Sequence, residues 1–146
     1  MPGYLDQYGA GDERRAKVIT RVVLAVVVAG VAGGILAFLF HNFRQERQGG
    51  RFFALLAAQQ YKEAYALWGC TDTQPCRDYA FGEFLRDWGP ESGRGDLRQW
   101  RVTKSRSCGS GVILTASGGG REEKLWVQRG DLTIGFSPWP GCPAGR

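Results

Sequence analysis

The longest apolar run in the chain covers residues 22–40 and contains no charged or strongly polar side chain. A helix of this length rises through roughly 28 Å, which is close to the ~30 Å hydrocarbon core of a bilayer. The run is longer than a secretory signal core of ~7 to 15 residues, and no small-x-small cleavage site follows it. A domain this small has no interior that would cover such a helix on all sides. The sequence therefore predicts one transmembrane helix over residues 18–43, retained as a signal anchor in the lipid bilayer.

Beyond the anchor, apolar and aromatic residues first recur with the spacing of amphipathic helices. Three segments, which begin near Phe52, Tyr61 and Phe81, place such residues at positions i, i+3, i+4 and i+7. Gly49 and Gly50 interrupt the helical pattern ahead of the first segment. We therefore predict a hinge over residues 44–50, between the anchor and a domain of residues 51–146.

The apolar pattern then changes to a period of two, which is typical of strands. Four strands are predicted, over residues 97–107, 112–117, 122–128 and 132–136, and glycine-rich turns separate them. Connections this short require antiparallel neighbours. The predicted fold class is α+β: a single N-terminal transmembrane helix, then three helices packed on a curved four-stranded antiparallel sheet.

Small residues recur along the predicted anchor helix at every fourth position, and two glycines add a GxxxG motif. They are Ala25, Ala29, Gly30, Gly33, Gly34 and Ala37. Small side chains let another helix approach closely, although glycine and alanine are also common in membrane helices generally. We predict a helix-packing face whose partner is another transmembrane helix, either a second copy or part of a larger membrane complex.

The cysteines and the charges near the anchor predict the orientation of the chain. Cys70, Cys76, Cys108 and Cys142 all follow the anchor, and an even number in one small module is typical of disulfides in an oxidising compartment. Their spacing lacks the close ligand pairs of a zinc site. Four basic residues lie just before the apolar run, which adds a thin positive-inside bias. We predict a cytoplasmic tail of residues 1–17 and an extracytoplasmic domain, in the inner (cytoplasmic) membrane of the cell.

Four cysteines allow three pairings. Cys70 and Cys76 bracket a short loop, so their Cα atoms can approach the ~5.5 Å that a disulfide requires. Cys142 lies in a proline-rich tail that is long enough to return across a small sheet to Cys108. The predicted disulfides are therefore Cys70–Cys76 and Cys108–Cys142.

Charge and motifs contain no sign of catalysis. The net charge of +5 is spread along the chain, whereas nucleic-acid readers have a clustered basic face. The one histidine, His41, lies at the predicted membrane boundary, and no nucleophile or phosphate-binding motif occurs. We predict a protein that is not an enzyme, with no catalytic residue, metal site, cofactor or nucleic-acid partner.

The helical segments FFALLAAQQYKEAYALW and YAFGEFLRDWGP, followed by paired strands, resemble the membrane-anchored bacterial members of the nuclear transport factor 2-like (cystatin-like) superfamily. The matching positions are Tyr61, Ala64, Tyr65, Phe84, Leu85 and Gly89. The resemblance spans residues 51–136. It implies a sheet that wraps around the helices into a cone with a pocket, and a superfamily that contains both enzymes and binding or scaffold modules. The domain lacks the histidine of the Asp-His pair that some of the enzymes use.

The aromatic and the basic residues each suggest one candidate binding site. Trp68, Trp88, Trp100 and Trp126 can line a pocket for an unknown small-molecule ligand or fill a small core, and we favour the core. Arg98, Lys104 and Arg106 share strand parity with Trp100 and Val102. That arrangement is compatible with an anion site, although we favour a solvated strand end.

The predicted function is that of a non-enzymatic single-pass membrane protein with an extracytoplasmic interaction domain, acting as an accessory or assembly subunit of a larger membrane complex. The alternative is a small-molecule-binding or enzymatic cone-shaped domain with a pocket lined by the tryptophans.

Overall fold

A computed structural model describes residues 6–138 and 142, with side-chain burial described from residue 12 onward. The first five residues of the predicted cytoplasmic tail, and residues 139–141 and 143–146 of the predicted domain, lie outside the described residues. The chain divides into two compact units, Met1–His41 and Asn42–Arg146.

The first unit contains one long helix, α1 (Asp6–Leu39). The part of the chain that the structure describes contains one helical segment long and apolar enough to cross a membrane, and the apolar run of α1 lies within it. Apolar side chains such as Val23, Val27 and Leu36 are each more than half exposed. A candidate membrane helix is therefore confirmed near the N-terminus, although α1 ends at Leu39 rather than at the predicted residue 43.

The second unit begins with three helices: α2 (Phe43–Ala57), α3 (Tyr61–Ala66) and α4 (Phe81–Trp88). They correspond to the three amphipathic segments of the sequence. After α2, Gln59 adopts a positive φ of 60°, and Gln60 N–H donates to the Leu55 carbonyl at 2.9 Å. This bond and a second from Gln59 N–H form a Schellman cap, which satisfies the last carbonyls of α2 and turns the chain into α3.

The predicted hinge over residues 44–50 differs from the structure, because those residues lie inside α2. The irregular turn between helices lies at residues 40–42 instead. Gly49 is buried, and a Cβ added there would lie 2.5 Å from Leu114 Cδ1. Gly49 therefore allows α2 to lie close to the sheet and does not interrupt the helix, although glycine inside a helix usually weakens it.

The sheet is an antiparallel meander in the order β1-β2-β3-β4, with β1 at Arg101–Cys108, β2 at Gly111–Gly118, β3 at Arg121–Gln128 and β4 at Ile134–Phe136. Gly119 and Gly120 both have positive φ angles, of 59° and 78°, as the two central residues of a tight hairpin require. The first strand begins later than predicted, because Leu97–Gln99 form a short 3-10 helix whose cap, Asp96, accepts a bond from Arg98 N–H at 3.0 Å.

The sequence predicts a curved sheet, and the four-stranded sheet of the structure is not strongly curled. The register between β2 and β3 and between β3 and β4 is regular, and one irregularity, at Thr103, interrupts the pairing of β1 with β2. Strong bending of a sheet depends on bulges and on long strands that continue past them. One bulge on an edge strand, and a β4 of three residues, leave the sheet open.

The core lies between the helices and one face of the sheet. Its largest fully buried side chains come from α2, α4, the three strands β2, β3 and β4, and the residue before β1: Trp88, Trp100, Phe52, Phe84, Leu56, Leu114, Leu125 and Ile134. The aromatic rings pack edge to face or stacked, with Phe52 5.0 Å from Trp88 and Phe53 5.6 Å from Trp100, measured between centroids. Such aromatic pairs each add about 1 kcal/mol beyond the area that they bury.

Candidate functional site

The four candidate pocket tryptophans do not come together. Trp68, Trp88 and Trp100 are buried in the core, with 7, 2 and 1% of their surface exposed. Trp126 lies on the other face of the sheet, where it pairs with Ile113 and Gly135. Trp126 lies between Leu125 and Val127 in β3, and strand alternation points it away from the core that those two residues enter. The core-filling interpretation therefore holds for three of the four.

The structure pairs the cysteines as the sequence predicts. The Cα atoms of Cys70 and Cys76 are 5.1 Å apart, and those of Cys108 and Cys142 are 5.4 Å apart. The first bridge closes the loop between α3 and α4. The second connects Cys108, at the end of β1, to Cys142, which follows β4 in the sequence, so it ties Cys142 to the sheet.

The predicted helix-packing residues all lie in α1. A Cβ added to Gly30, Gly33 or Gly34 would meet no described atom within 4 Å. At 100° per residue, Ala25, Ala29, Gly33 and Ala37 drift by only about 40° per step around the helix. They therefore form one continuous stripe of small side chains on an exposed helix.

Lys104 and Arg106 of β1 do not share a face with Val102. Val102 lies opposite the buried Ala116, and Lys104 lies opposite the next residue of β2, Thr115. The extra residue between them, Thr103, is a β-bulge, which moves the following side chains to the other face of the sheet. Lys104 is therefore exposed on the outer face of the sheet, away from Trp100 and Val102, with which the predicted anion site would have placed it.

A polar cluster holds the first turn of α2 to the sheet. Asn42 Nδ2 donates to Ser105 Oγ at 3.3 Å, and Ser105 Oγ donates to Glu46 Oε1. Arg129 Nη2 donates to Asn42 Oδ1 at 3.2 Å and to Ser107 Oγ at 2.7 Å. Glu46 is the one carboxylate of α2, and this cluster directs it toward the sheet.

The opposite, exposed face of α2 is basic. Arg44, Arg47 and Arg51 recur at intervals of three and four residues, and all three are exposed. Within the described residues, none of the three forms an ion pair. The only carboxylate of this helix is turned inward, so the exposed face of α2 is positive along its first three turns.

A groove of about 540 Å³ lies between α2 and the segment that leads into β1. Its walls include Gly50, Ala54, Ala57 and Ala58 from α2, and Leu97 and Val102 from the other side. Two further arginines, Arg98 and Arg101, line the wall opposite α2. We call this surface, together with Arg44, Arg47 and Arg51, the arginine groove.

The wall opposite α2 is held in place by the loop before it. Arg94 lies 4.2 Å over the Trp88 ring and pairs with Glu123 at 3.3 Å. Trp100 Nε1 donates to the Arg94 carbonyl at 3.2 Å. Arg101 Nη1 donates to the carbonyls of Arg98 and Trp100, at 2.6 and 2.8 Å. These bonds satisfy part of the Arg101 guanidinium but leave its charge unpaired within the described residues.

A tyrosine on the helical side has a shifted pKa. Burial raises the pKa of Tyr79, and its hydrogen bond to Asp87 Oδ2, 2.9 Å long, acts in the same direction. Tyr65 Oη donates to the Tyr79 carbonyl at 2.6 Å. A phenol with a raised pKa stays protonated at neutral pH, so Tyr79 serves as a hydrogen-bond donor to Asp87 and not as a base.

Within the described residues, no group of three or more histidine, cysteine, aspartate or glutamate side chains is arranged to hold a metal ion. The arginine groove therefore offers the most distinctive surface chemistry: two arginines line an apolar floor, and three more lie on the exposed face of α2 beside it. Its residues come from two segments about fifty positions apart, so no local sequence motif indicates it. In comparisons with known proteins, the chain matches no family model, no curated protein and no solved structure.

Proposed function

We propose that the protein is a non-enzymatic, single-pass membrane protein whose disulfide-bonded domain assembles with other membrane proteins. The observation that carries the proposal is an exposed apolar helix, α1, with a stripe of small residues, joined to a separate compact domain with its own core. Exposed apolar surface on this scale requires lipid or other apolar helices around it. A small-residue stripe is the surface that membrane helices use for close packing.

In this proposal, the anchor lies in the inner membrane with the N-terminus in the cytoplasm and the domain outside. The two cysteine pairs at disulfide distance support an oxidising environment, because such bridges are rare in the cytosol. The basic residues that precede the apolar run agree with this orientation.

We also propose that the domain is related to the nuclear transport factor 2-like superfamily. Three helices followed by an antiparallel meander support the relationship. The open sheet and the filled tryptophan core favour an interaction module over a cone with a ligand pocket.

Purification with a stoichiometric count tests the assembly function. We expect the full chain, extracted in a mild detergent, to copurify with one membrane protein at a fixed ratio. Gly33→Leu should reduce that yield at least several-fold, because the leucine obstructs the close approach of a second helix. The open space around Gly33 means that the substitution meets nothing in its own chain.

Ile35→Phe is the matched control, since position 35 lies about 160° around α1 from Gly33, outside the small-residue stripe. An unchanged complex in Gly33→Leu, with equal expression, would contradict a role for this face. Purification of the chain with a small molecule and no protein partner would contradict the assembly function itself.

A further inference from the structure

The arginine groove has two cationic side chains on the wall opposite α2, and three more lie on the exposed face of α2 beside it. Arg44, Arg47 and Arg51 are exposed on α2, and Arg98 and Arg101 are exposed on the opposite wall. Within the described residues, none of the five forms an ion pair. The carboxylate nearest in sequence to Arg98, Asp96, already accepts a bond from Arg98 N–H, and Glu46 of α2 accepts a bond from Ser105 of the sheet. Arginine binds carboxylates through two parallel hydrogen bonds, so this surface is suited to several carboxylates at once.

The floor of the groove suits a helix. Gly50, Ala54 and Ala57 recur at intervals of four and three residues, so small side chains line the α2 wall. Small side chains let a second helix backbone lie close, and Leu97 and Val102 offer apolar contact on the other side. From Arg44 to Ala58, α2 and its cap extend for about 21 Å, the length of a helix of about 14 residues. Amphipathic helices bind in grooves of this kind.

Anionic lipid headgroups are the main competing occupant. A basic stripe shortly after a membrane anchor, taken alone, is typical of headgroup contact. The groove adds two features. It has an apolar floor, and its wall opposite α2 carries Arg98 and Arg101 from a distant part of the chain. A layer of headgroups needs neither, whereas an amphipathic helix with acidic and apolar faces uses both. We propose that the arginine groove binds an acidic amphipathic helix of a partner membrane protein.

This inference rests on the proposed assembly function and names the chemistry of the partner. It is tested with the full chain in nanodiscs of uncharged phosphatidylcholine. The probe is a fluorescent synthetic helix of about 14 residues, with glutamate on one face and leucine on the other. We expect saturable binding that weakens with salt, and no binding of the same peptide with lysine in place of glutamate.

Two sets of variants separate charge from shape. Arg47→Glu with Arg51→Glu should weaken peptide binding at least tenfold, and Arg77→Glu, an exposed arginine outside the groove, should leave it unchanged. Gly50→Leu should also weaken it at least tenfold, because leucine fills the groove. A Cβ at Gly50 meets no described atom within 4 Å, and the same holds for Gly82 in α4, so Gly82→Leu is the control. Ala54→Leu replaces Gly50→Leu if that variant has a lowered melting temperature.

Failure of the peptide to bind, or full binding to the Gly50→Leu and Ala54→Leu variants, would overturn the inference. So would binding that disappears when the nanodiscs contain phosphatidylglycerol, since the arginines would then be occupied by headgroups. None of these results depends on the copurification experiment, which tests the proposed assembly function separately.

Discussion

Two adjacent glycines in α2 occupy opposite environments. Gly49 is buried, and a Cβ there would lie 2.5 Å from Leu114 Cδ1 and 3.2 Å from Val102 Cγ2. Gly50 faces the arginine groove, and a Cβ there meets no described atom within 4 Å. The first glycine is therefore required by packing against the sheet, whereas the second leaves a concave surface on the outside of the helix.

Alanine at these two positions should change stability in opposite directions. Gly50→Ala should stabilise the domain by about 0.5 to 1 kcal/mol, because alanine loses less backbone entropy than glycine in a helix. Gly49→Ala gains the same term but forces Leu114 to move, and overpacking in a core costs about 1 to 3 kcal/mol. We therefore expect a higher melting temperature for Gly50→Ala and a lower one for Gly49→Ala. Equal shifts in both variants would contradict the position of α2 on the sheet.

At the scale of elements, the two disulfides constrain segments of very different length. Cys70–Cys76 spans 6 positions and Cys108–Cys142 spans 34. The longer loop ends in a segment after β4 that has little regular structure among its described residues. A crosslink across a longer loop removes more entropy from the unfolded chain, so the second bridge should contribute more to stability.

Removal of each disulfide in turn measures the difference between their contributions to stability. The chain-entropy relation gives roughly 4 kcal/mol for the longer loop and roughly 2 kcal/mol for the shorter one. We expect Cys108→Ser with Cys142→Ser to lower the melting temperature more than Cys70→Ser with Cys76→Ser. Peptide mapping without reduction checks the pairing, and a Cys70 peptide linked to Cys108 or Cys142 would contradict it.

The elements themselves follow largely from local patterns in the sequence. The i, i+3, i+4, i+7 spacing located three helices, and the glycine turns located the hairpins, because both signals act over a few residues. The glycine pair at residues 49 and 50 misled the prediction, since close packing on Leu114 is a tertiary requirement that no local pattern contains. The bulge at Thr103 was also missed, and with it the face on which Lys104 lies.

The candidate site was less accessible from the sequence than the fold. Trp68, Trp88 and Trp100 are core residues, which the burial of aromatics in small domains makes the ordinary outcome. The arginine groove joins residues 50–58 to residues 97–102, and only the packing of α2 beside the start of β1 brings them together. The individual arginines look like scattered surface charge until that packing is known.

At the scale of the whole molecule, the chain divides into two parts with different environments. The apolar side chains of α1 are exposed, as a lipid-embedded helix requires, whereas residues from 42 onward form a unit with its own buried core. All four cysteines lie in that second unit and pair within it. We therefore propose that the bilayer separates a cytoplasmic N-terminus from a domain on the oxidising side.

A pair of reporter fusions after Arg146 tests that claim most directly. One reporter enzyme is active only after disulfide formation outside the cytoplasm, and the other is a fluorescent protein that matures only inside it. We predict an active enzyme fusion and a dark fluorescent fusion, at equal expression and in the membrane fraction. A bright fluorescent fusion with an inactive enzyme would place the domain in the cytoplasm and contradict the account.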